Sequence, residues 1–395
     1  MGRKDRRTSG VRSGRGEGPV QGRLIGVRDI SAGDEERWRD LAERAAEPNP
    51  LCEPDCVVPA AVHQTFGDEI ALVVAEENGR FLACVPVRPV RRWYNIRYPV
   101  AANKVRRSTY VGTPLVDPVG ATAAMATLLA TLGDARRSLG CRLFGLDSLR
   151  QGGPVASYVH EAAVGLGLPV YEQENFERAF WVRRHEPTYL DDVRPSRRAH
   201  LRRRRRMLKD AFGYVPVLVD RSHDKAAVEE FVAMEAAGYK AVNGVALATV
   251  PGEVEYFTAM CERFAGAKRL VVLSLECGGE TLGMQVSLRG GEGIFSVKVS
   301  YDERYRRFGP GVLLHTEMFE YVHHNTDARW VDSCSSENNG FLLELYPDRT
   351  RISTLLFPLG GKVDAAVVRG LTRVRPLHRR WRSLVDSASA GPGGR

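Results

Sequence analysis

Hydrophobic and polar positions alternate along this chain in two periods that follow one another in a fixed order. Residues 23–28 alternate as a short strand does, while residues 32–46 repeat at helical spacing with Trp38, Leu41 and Ala45 on one face. A proline-dense turn, Glu47-Pro48-Asn49-Pro50-Leu51-Cys52-Glu53-Pro54, leads into a second helical stretch ending near Phe66. Apolar runs at 69–76 and 80–87 flank Glu77-Asn78-Gly79, and Asn-Gly between two such runs signals a hairpin. The pattern then predicts a strand at 110–116, a helix at 121–139, a strand at 142–146, a helix at 155–165 and a strand at 169–172. The order is β-α-α-β-β-β-α-β-α-β.

Past a polar junction at 174–184 and an arginine-rich helix, that order returns. The spacing predicts a strand at 214–219, helices at 224–238 and 252–264, and three strands at 269–276, 281–288 and 293–300 joined by glycine-rich turns. An amphipathic helix at 311–323, a buried strand at 329–332, a helix at 338–345 and a strand at 352–357 complete it. The expected fold class is α+β, with two lobes that each fold a mixed, mostly antiparallel sheet flanked by helices.

Composition sharpens the division. At 395 residues the chain exceeds one ordinary core of roughly 100 to 200 residues, so two domains are expected. Residues 1–20 are basic and glycine-rich with few large apolar side chains, which marks a disordered tail without the apolar stretch of a secretory signal. The lobes are expected at 21–175 and 176–365, followed by a basic extension at 366–395 with a frayed end. No run approaches the ~18 apolar residues of a membrane span. Cys52, Cys56, Cys84, Cys141, Cys261, Cys277 and Cys334 show no disulfide spacing, so the expected compartment is the reducing cytoplasm. Cys52 and Cys56 with His63 lack a fourth ligand, and no metal is expected.

The chemistry concentrates where the third strand of the second half meets its helix. Arg306-Arg307-Phe308-Gly309-Pro310-Gly311 fits the spacing R-x-x-G-x-G. Glycines let backbone approach an anion, the first N–H groups of the following helix point at it, and guanidinium adds bidentate bonds. Pro310 suits the first helical position.

With the element order, this loop makes the second half resemble the GNAT superfamily of acetyltransferases. The whole chain, from about 25 to 360, resembles the two-lobed cellulose-biosynthesis-type acetyltransferases. The similarity is carried by Met234-Glu235-Ala236-Ala237-Gly238-Tyr239-Lys240, Ala246-Leu247-Ala248, Lys298-Val299-Ser300-Tyr301-Asp302-Glu303-Arg304-Tyr305 and Phe308-Gly309-Pro310-Gly311, with Trp38 and 49–54 in the first lobe. That family usually has Ser where Gly309 stands and Trp where Tyr346 stands. A more distant similarity is to the Fem-type aminoacyltransferases, which use aminoacyl-tRNA.

The resemblance implies an N-acyltransferase whose co-substrate is acetyl-CoA or another acyl-CoA, without a metal, acting on a small-molecule or polymer-linked amine. Arg306, Arg307, Gly309, Pro310, Gly311 and Val312 would hold the donor pyrophosphate, and backbone at Val297 and Val299 would meet the thioester carbonyl. Glu235, Tyr239, Lys240, Lys298 and Tyr301 would line the acceptor side. Asp302 and Asp332 are the candidate bases, and Tyr346 the candidate donor of a proton to the departing thiolate. The first lobe lacks an equivalent loop and would be a degenerate copy shaping the acceptor cleft.

Two features leave alternatives open. The run at 194–209 carries eight arginines and one lysine, a strongly cationic helix that could steer a phosphorylated donor, an anionic polymer or tRNA. Hence an aminoacyl-tRNA-dependent amide-forming transferase and a non-catalytic protein that binds an anionic polymer remain as alternatives. His315, His323 and His324 share one helix and read as surface residues, and no elbow motif supports a triad with Cys334.

Overall fold

The computed structural model describes residues 19–94, 96–106, 109–184, 195–336 and 339–372, and within them the chain runs twice through one order of elements. The expected tail at 1–20 and extension at 366–395 lie outside these residues except for 19–20 and 366–372. The first pass is β1 (Gln21–Gly26), α1 (Ala32–Arg44), α2 (Pro54–His63), β2 (Ala71–Glu77), β3 (Arg80–Val90), β4 (Val100–Ala102), β5 (Leu115–Val116), α3 (Ala121–Ala135), β6 (Leu143–Arg150), α4 (Pro154–Gly165) and β7 (Tyr171–Val182). After α5 (Pro195–Phe212) come β8 (Val217–Asp220), α6 (Ala227–Ala237), α7 (Tyr239–Val242), α8 (Glu253–Gly266), β9 (Leu270–Cys277), β10 (Glu280–Gly290), β11 (Gly293–Tyr301), α9 (Pro310–Asn325), β12 (Trp330–Asp332), α10 (Gly340–Leu345) and β13 (Asp348–Pro358).

Local chemistry sets these boundaries. The Ser31 hydroxyl accepts from the Asp34 N–H and caps α1, while Pro54 and Pro310 open α2 and α9. Between β2 and β3, Asn78 (φ 51°) and Gly79 (φ 76°) both adopt the left-handed conformation that a two-residue hairpin turn demands.

Pairing among the described strands runs β1-β2-β3-β4-β6-β13-β7-β12-β11-β10-β9-β8, with β5 beside β3. The last strand of each pass is therefore exchanged. β7 pairs with β12 of the second half, and β13 pairs with β6 of the first, while β7 and β13 run antiparallel to each other from Tyr171↔Leu356 to Phe180↔Asp348. A boundary between 175 and 176 thus falls inside β7. The polar stretch at 174–184 reads as a junction in the sequence because β7 meets β12 only over Phe180–Val182, which leaves its earlier polar residues on an open edge.

Helices complete the fusion. α2 packs against α8, and one hydrophobic core draws Cys56, Val57 and Ala60 from the first half together with Phe231, Phe257 and Met260 from the second. Separating the halves would expose this core, so they fold as one body.

In the sequence, 110–116 reads as one strand, but the chain leaves the sheet after Ala102 and returns only at Leu115. Asn103 ties the excursion at its base. Its amide donates to Gly112 O (2.8 Å) and Asp147 O (3.2 Å), and its Oδ1 accepts from Asp147 N (2.7 Å). Asn49 holds the far end through Thr113 O at 2.7 Å.

Arg178 on β7 joins these parts. It is 2 % exposed, donates from Nε to Ser335 O (2.9 Å) and from Nη2 to Tyr110 O (2.6 Å), and lies 3.7 Å from Asp332. Removing a buried cation leaves Asp332 and two carbonyls without it, which costs about 3–5 kcal/mol. Arg178→Met should therefore shift the urea midpoint strongly downward, and a midpoint equal to that of the parent protein would show that the guanidinium does not hold the halves together.

Candidate functional site

In each half one parallel strand pair interrupts an otherwise antiparallel series, and it is short. β11 pairs with β12 only from Gly293↔Trp330 to Phe295↔Asp332, just as β4 pairs with β6 only over Val100–Ala102. Beyond Phe295 the strands diverge. Asp332 bends the chain away: its Oδ1 accepts from Cys334 N at 2.7 Å and supports Cys334 in a left-handed conformation (φ 51°). On the other wall β11 is bulged, since Val286 faces Lys298 and Ser287 faces Ser296, leaving Val297 as the extra residue. A bulge re-aims backbone groups, here toward the gap.

The gap is a cavity of about 580 Å³. Ser296, Val297, Lys298 and Val299 form one wall, Ser333 to Ser336 the other, and the start of α9 closes one end. Tyr239, Lys240 and Val245 lie on the opposite side with Tyr110, which the first-half excursion delivers across the lobes.

Beneath the cavity lies the carboxylate of Glu235, 1 % exposed. Lys240 Nζ (3.0 Å) and Lys298 Nζ (2.9 Å) both donate to its Oε1, and Leu247 N donates to Oε2 (2.9 Å). Burial alone would push the Glu235 carboxyl up, but the two ammonium groups outweigh it and hold it below the usual range. Burial depresses Lys240 despite Glu235, and Lys240 also donates to Val299 O at 2.6 Å. Two cations against one anion leave a positive floor.

At the α9 end, Gly309 has φ 64° and ψ 55°, a backbone that glycine adopts without strain, and it precedes Pro310 at the start of α9. Arg306 reaches the cavity, and Gly311 presents a first-turn N–H that has no carbonyl partner within its own helix. Gly311 also faces Tyr301, where an added Cβ would lie 3.6 Å from Cδ1. Val312 N–H turns back to Gly309 O at 3.1 Å.

Four sequence candidates stand elsewhere. Asp302 caps the short helix 303–308, accepting from Arg304 N (2.9 Å) and Nε (2.8 Å); the Arg304 guanidinium holds its carboxyl below the usual range, the opposite of what a base requires. Asp332 faces Arg178 and Cys334 N, so it shapes the wall from behind. Arg307 lies over the ring of Phe308, 4.6 Å from its centroid. Tyr346 is buried, with its hydroxyl 3.2 Å from Nδ1 of His315.

His315 lines the cavity and is 4 % exposed, not a surface histidine. It stands one helical turn beyond Gly311, a spacing that puts both on one face. That signal was available. Tyr110 had none, because only the inter-lobe excursion brings it here. Cys334 also lines the wall, but burial and then Asp332 push its thiol well up, which leaves it inert as a nucleophile.

Residues 195–339 match the acetyltransferase (GNAT) domain family. Solved structures share the chain's fold over most of its length. FemX superposes with a TM-score of 0.57 at 8 % identity, covering 85 % of this chain and 96 % of that one. The C-terminal domain of a candidate lysylphosphatidylglycerol synthetase from Agrobacterium fabrum gives 0.52 at 13 %, covering 87 % and 96 %. A Bacteroides thetaiotaomicron protein of unknown function gives 0.52 at 9 %, covering 84 % and 98 %. At such identities the likeness is one of fold. Among curated proteins no sequence matches. Among the described residues no helix is long and apolar enough to cross a membrane.

The cavity also carries a pH signature. Burial lowers His315 from its ordinary 6.5 to about 4, so the folded chain keeps the ring neutral where the unfolded chain binds a proton. Between pH 6.5 and 4 the unfolded state holds more protons, and stability falls as pH falls, by about 3 kcal/mol in total. His315→Leu should flatten that part of a urea-midpoint series from pH 7 to 4.5. An unchanged slope would show that His315 is protonated in the native state.

Proposed function

We propose that the protein is an N-acyltransferase of the cytoplasm that moves an acyl group, most simply acetyl, from acyl-CoA to an amine. The observation that carries this reading is the splayed gap between β11 and β12, with a bulged strand on one wall and the Arg306–Gly311 helix start at its end. Arg306 and the Gly311 N–H suit the donor pyrophosphate, and backbone around Val297–Val299 suits the thioester carbonyl. The first lobe serves the acceptor side through Tyr110. Its own counterpart of the donor loop has Gly120 (φ 69°) before α3, but the Asp117 carboxylate already accepts from Val119 N at 2.9 Å and pairs with Arg80 at 3.1 Å. A carboxylate at that place disfavours a phosphate.

The leaving sulfur is met by His315 and the incoming amine by Lys240 and Lys298. In the tautomer in which the Tyr346 hydroxyl donates to Nδ1 (3.2 Å), the neutral His315 ring keeps its proton on Nε2 and hydrogen-bonds the departing thiolate, whose proton comes from the attacking amine. No carboxylate lines the cavity among the described residues. The positive floor made by Lys240 and Lys298 disfavours an ammonium, so it lowers the pKa of an incoming amine and favours the neutral nucleophile.

An exposed arginine face on α5, formed by Arg202, Arg203 and Arg206, favours a second reading. In it the donor is aminoacyl-tRNA, and tRNA binding would weaken steeply with salt.

Isothermal titration calorimetry with acetyl-CoA separates these. The parent protein is expected to bind, Arg306→Met to weaken binding by about tenfold through loss of a charge-assisted contact, and Lys298→Met to stay within about twofold. No binding by the intact chain sinks the acyl-CoA reading.

A further inference from the structure

The arginine helix α5 lies across the donor loop, packed on α9 and on the short helix 303–308. Its cations have different surroundings. Arg197 pairs with Glu344 at 3.0 Å, and Arg205 pairs with Glu317 on α9. Arg202, Arg203 and Arg206 face solvent. Arg204 does neither. It is half-buried, and among the described residues no carboxylate pairs with it.

Its position is specific. A Cβ on Gly309 would fall 2.5 Å from Cζ of Arg204, 3.2 Å from its Nε, and closer still to Nη1. Gly309 therefore has a second reason to be glycine, beyond its left-handed backbone: the guanidinium occupies the space of the missing side chain. Arg204 Nε donates to Nε2 of His200, one turn earlier, at 2.8 Å. That bond requires His200 to be unprotonated there, and burial with neighbouring Arg204, Arg197 and Arg203 holds its pKa down. With Nε anchored, both Nη groups remain as a planar fork beside Gly309, which itself lines the cavity with Arg306.

A half-buried guanidinium crowded by like charge is unfavourable without an anion to compensate it. We propose that Arg204 is a phosphate ligand of the donor: Arg204, Arg306 and the Gly311 N–H form a clamp, with Gly309 as the gap through which α5 reaches it. This rests on the acyl-CoA reading and extends it to a residue outside the R-x-x-G-x-G loop. It also gives the arginine run a function that its composition left open. The run's inward members fix the helix on Glu344 and Glu317 so that one of them can meet the ligand.

Calorimetry on the full chain with acetyl-CoA and its 3′-dephospho analogue tests the clamp. Arg204→Met should weaken acetyl-CoA binding about tenfold or more, with Lys209→Met, an exposed residue of the same helix, within twofold of the parent. An equal deficit with the dephospho analogue puts the pyrophosphate in the fork, and a deficit that vanishes puts the 3′-phosphate there. Gly309→Ala, which fills the guanidinium's place, should weaken binding and make a further Arg204→Met change nearly silent. If Arg204→Met binds as the parent does while Arg306→Met is weakened, the clamp is wrong and the donor reading stands. If the parent protein itself does not bind acetyl-CoA, both fall.

Discussion

The buried guanidinium of Arg178 is the contact on which the architecture of the site depends. It lies on a strand that the first half contributes to the second half's sheet, and its donors reach a carbonyl of the cavity wall, Ser335, and one of the first-half excursion, Tyr110. Burying a cation is costly unless its hydrogen bonds are made, so the carbonyls must come to it. Strand exchange makes that possible. Because β7 enters between β13 and β12, the end of the first half is fixed behind the gap. The two lobes could not drift apart without breaking both the sheet and this cluster.

The same element order has diverged at matching places. Where the second half has a one-residue bulge at Val297, the first has the excursion 103–114. Where the second has Arg306 before a left-handed glycine and a helix, the first has Asp117 before Gly120 and α3. The bulge keeps β11 straight enough to line a cleft. The excursion surrenders that role and delivers Tyr110 to the partner cleft instead. One lobe has kept an anion-compatible helix start, and the other has filled its start with a carboxylate.

How much of this was legible in the chain follows from range. Element order is local: hydrophobic period and turn residues such as Asn78-Gly79 determine it, and the repeated β-α-α-β-β-β-α-β-α-β order stands in the structure apart from an added strand, β4, in the first half and an added short helix, α7, in the second. The loop at Arg306–Gly311 was legible for the same reason, since glycine, proline and arginine at fixed spacing act on their own backbone. Strand exchange was not, because β7 and β13 pair across some 180 positions and nothing near either strand records the partner. Asp302 misled for an instructive reason: the carboxylate that ends a strand beside a pocket is also the best cap for the turn that follows, and Arg304 two residues on decides for the cap. His315 was misplaced because helix position alone does not say which face is covered. Its spacing from Gly311 did.

Removing Asp302 and Asp332 from the role of base changes what the site must do. A conventional base accepts the amine's proton during attack and needs a raised pKa. Here burial acts on a cationic cluster, in which Lys240 is depressed and Glu235 is held ionised between two ammonium groups. In the proposed acyl transfer such a floor would act before attack, by shifting the amine's own equilibrium toward the neutral form that can react. Neutral His315, shielded from titration in the working range, would then hydrogen-bond the leaving sulfur while the amine's proton passes to it. Two groups hold one protonation state each: the Glu235 carboxylate stays charged because its lysine partners outweigh its burial, and the His315 imidazole stays neutral because it is buried.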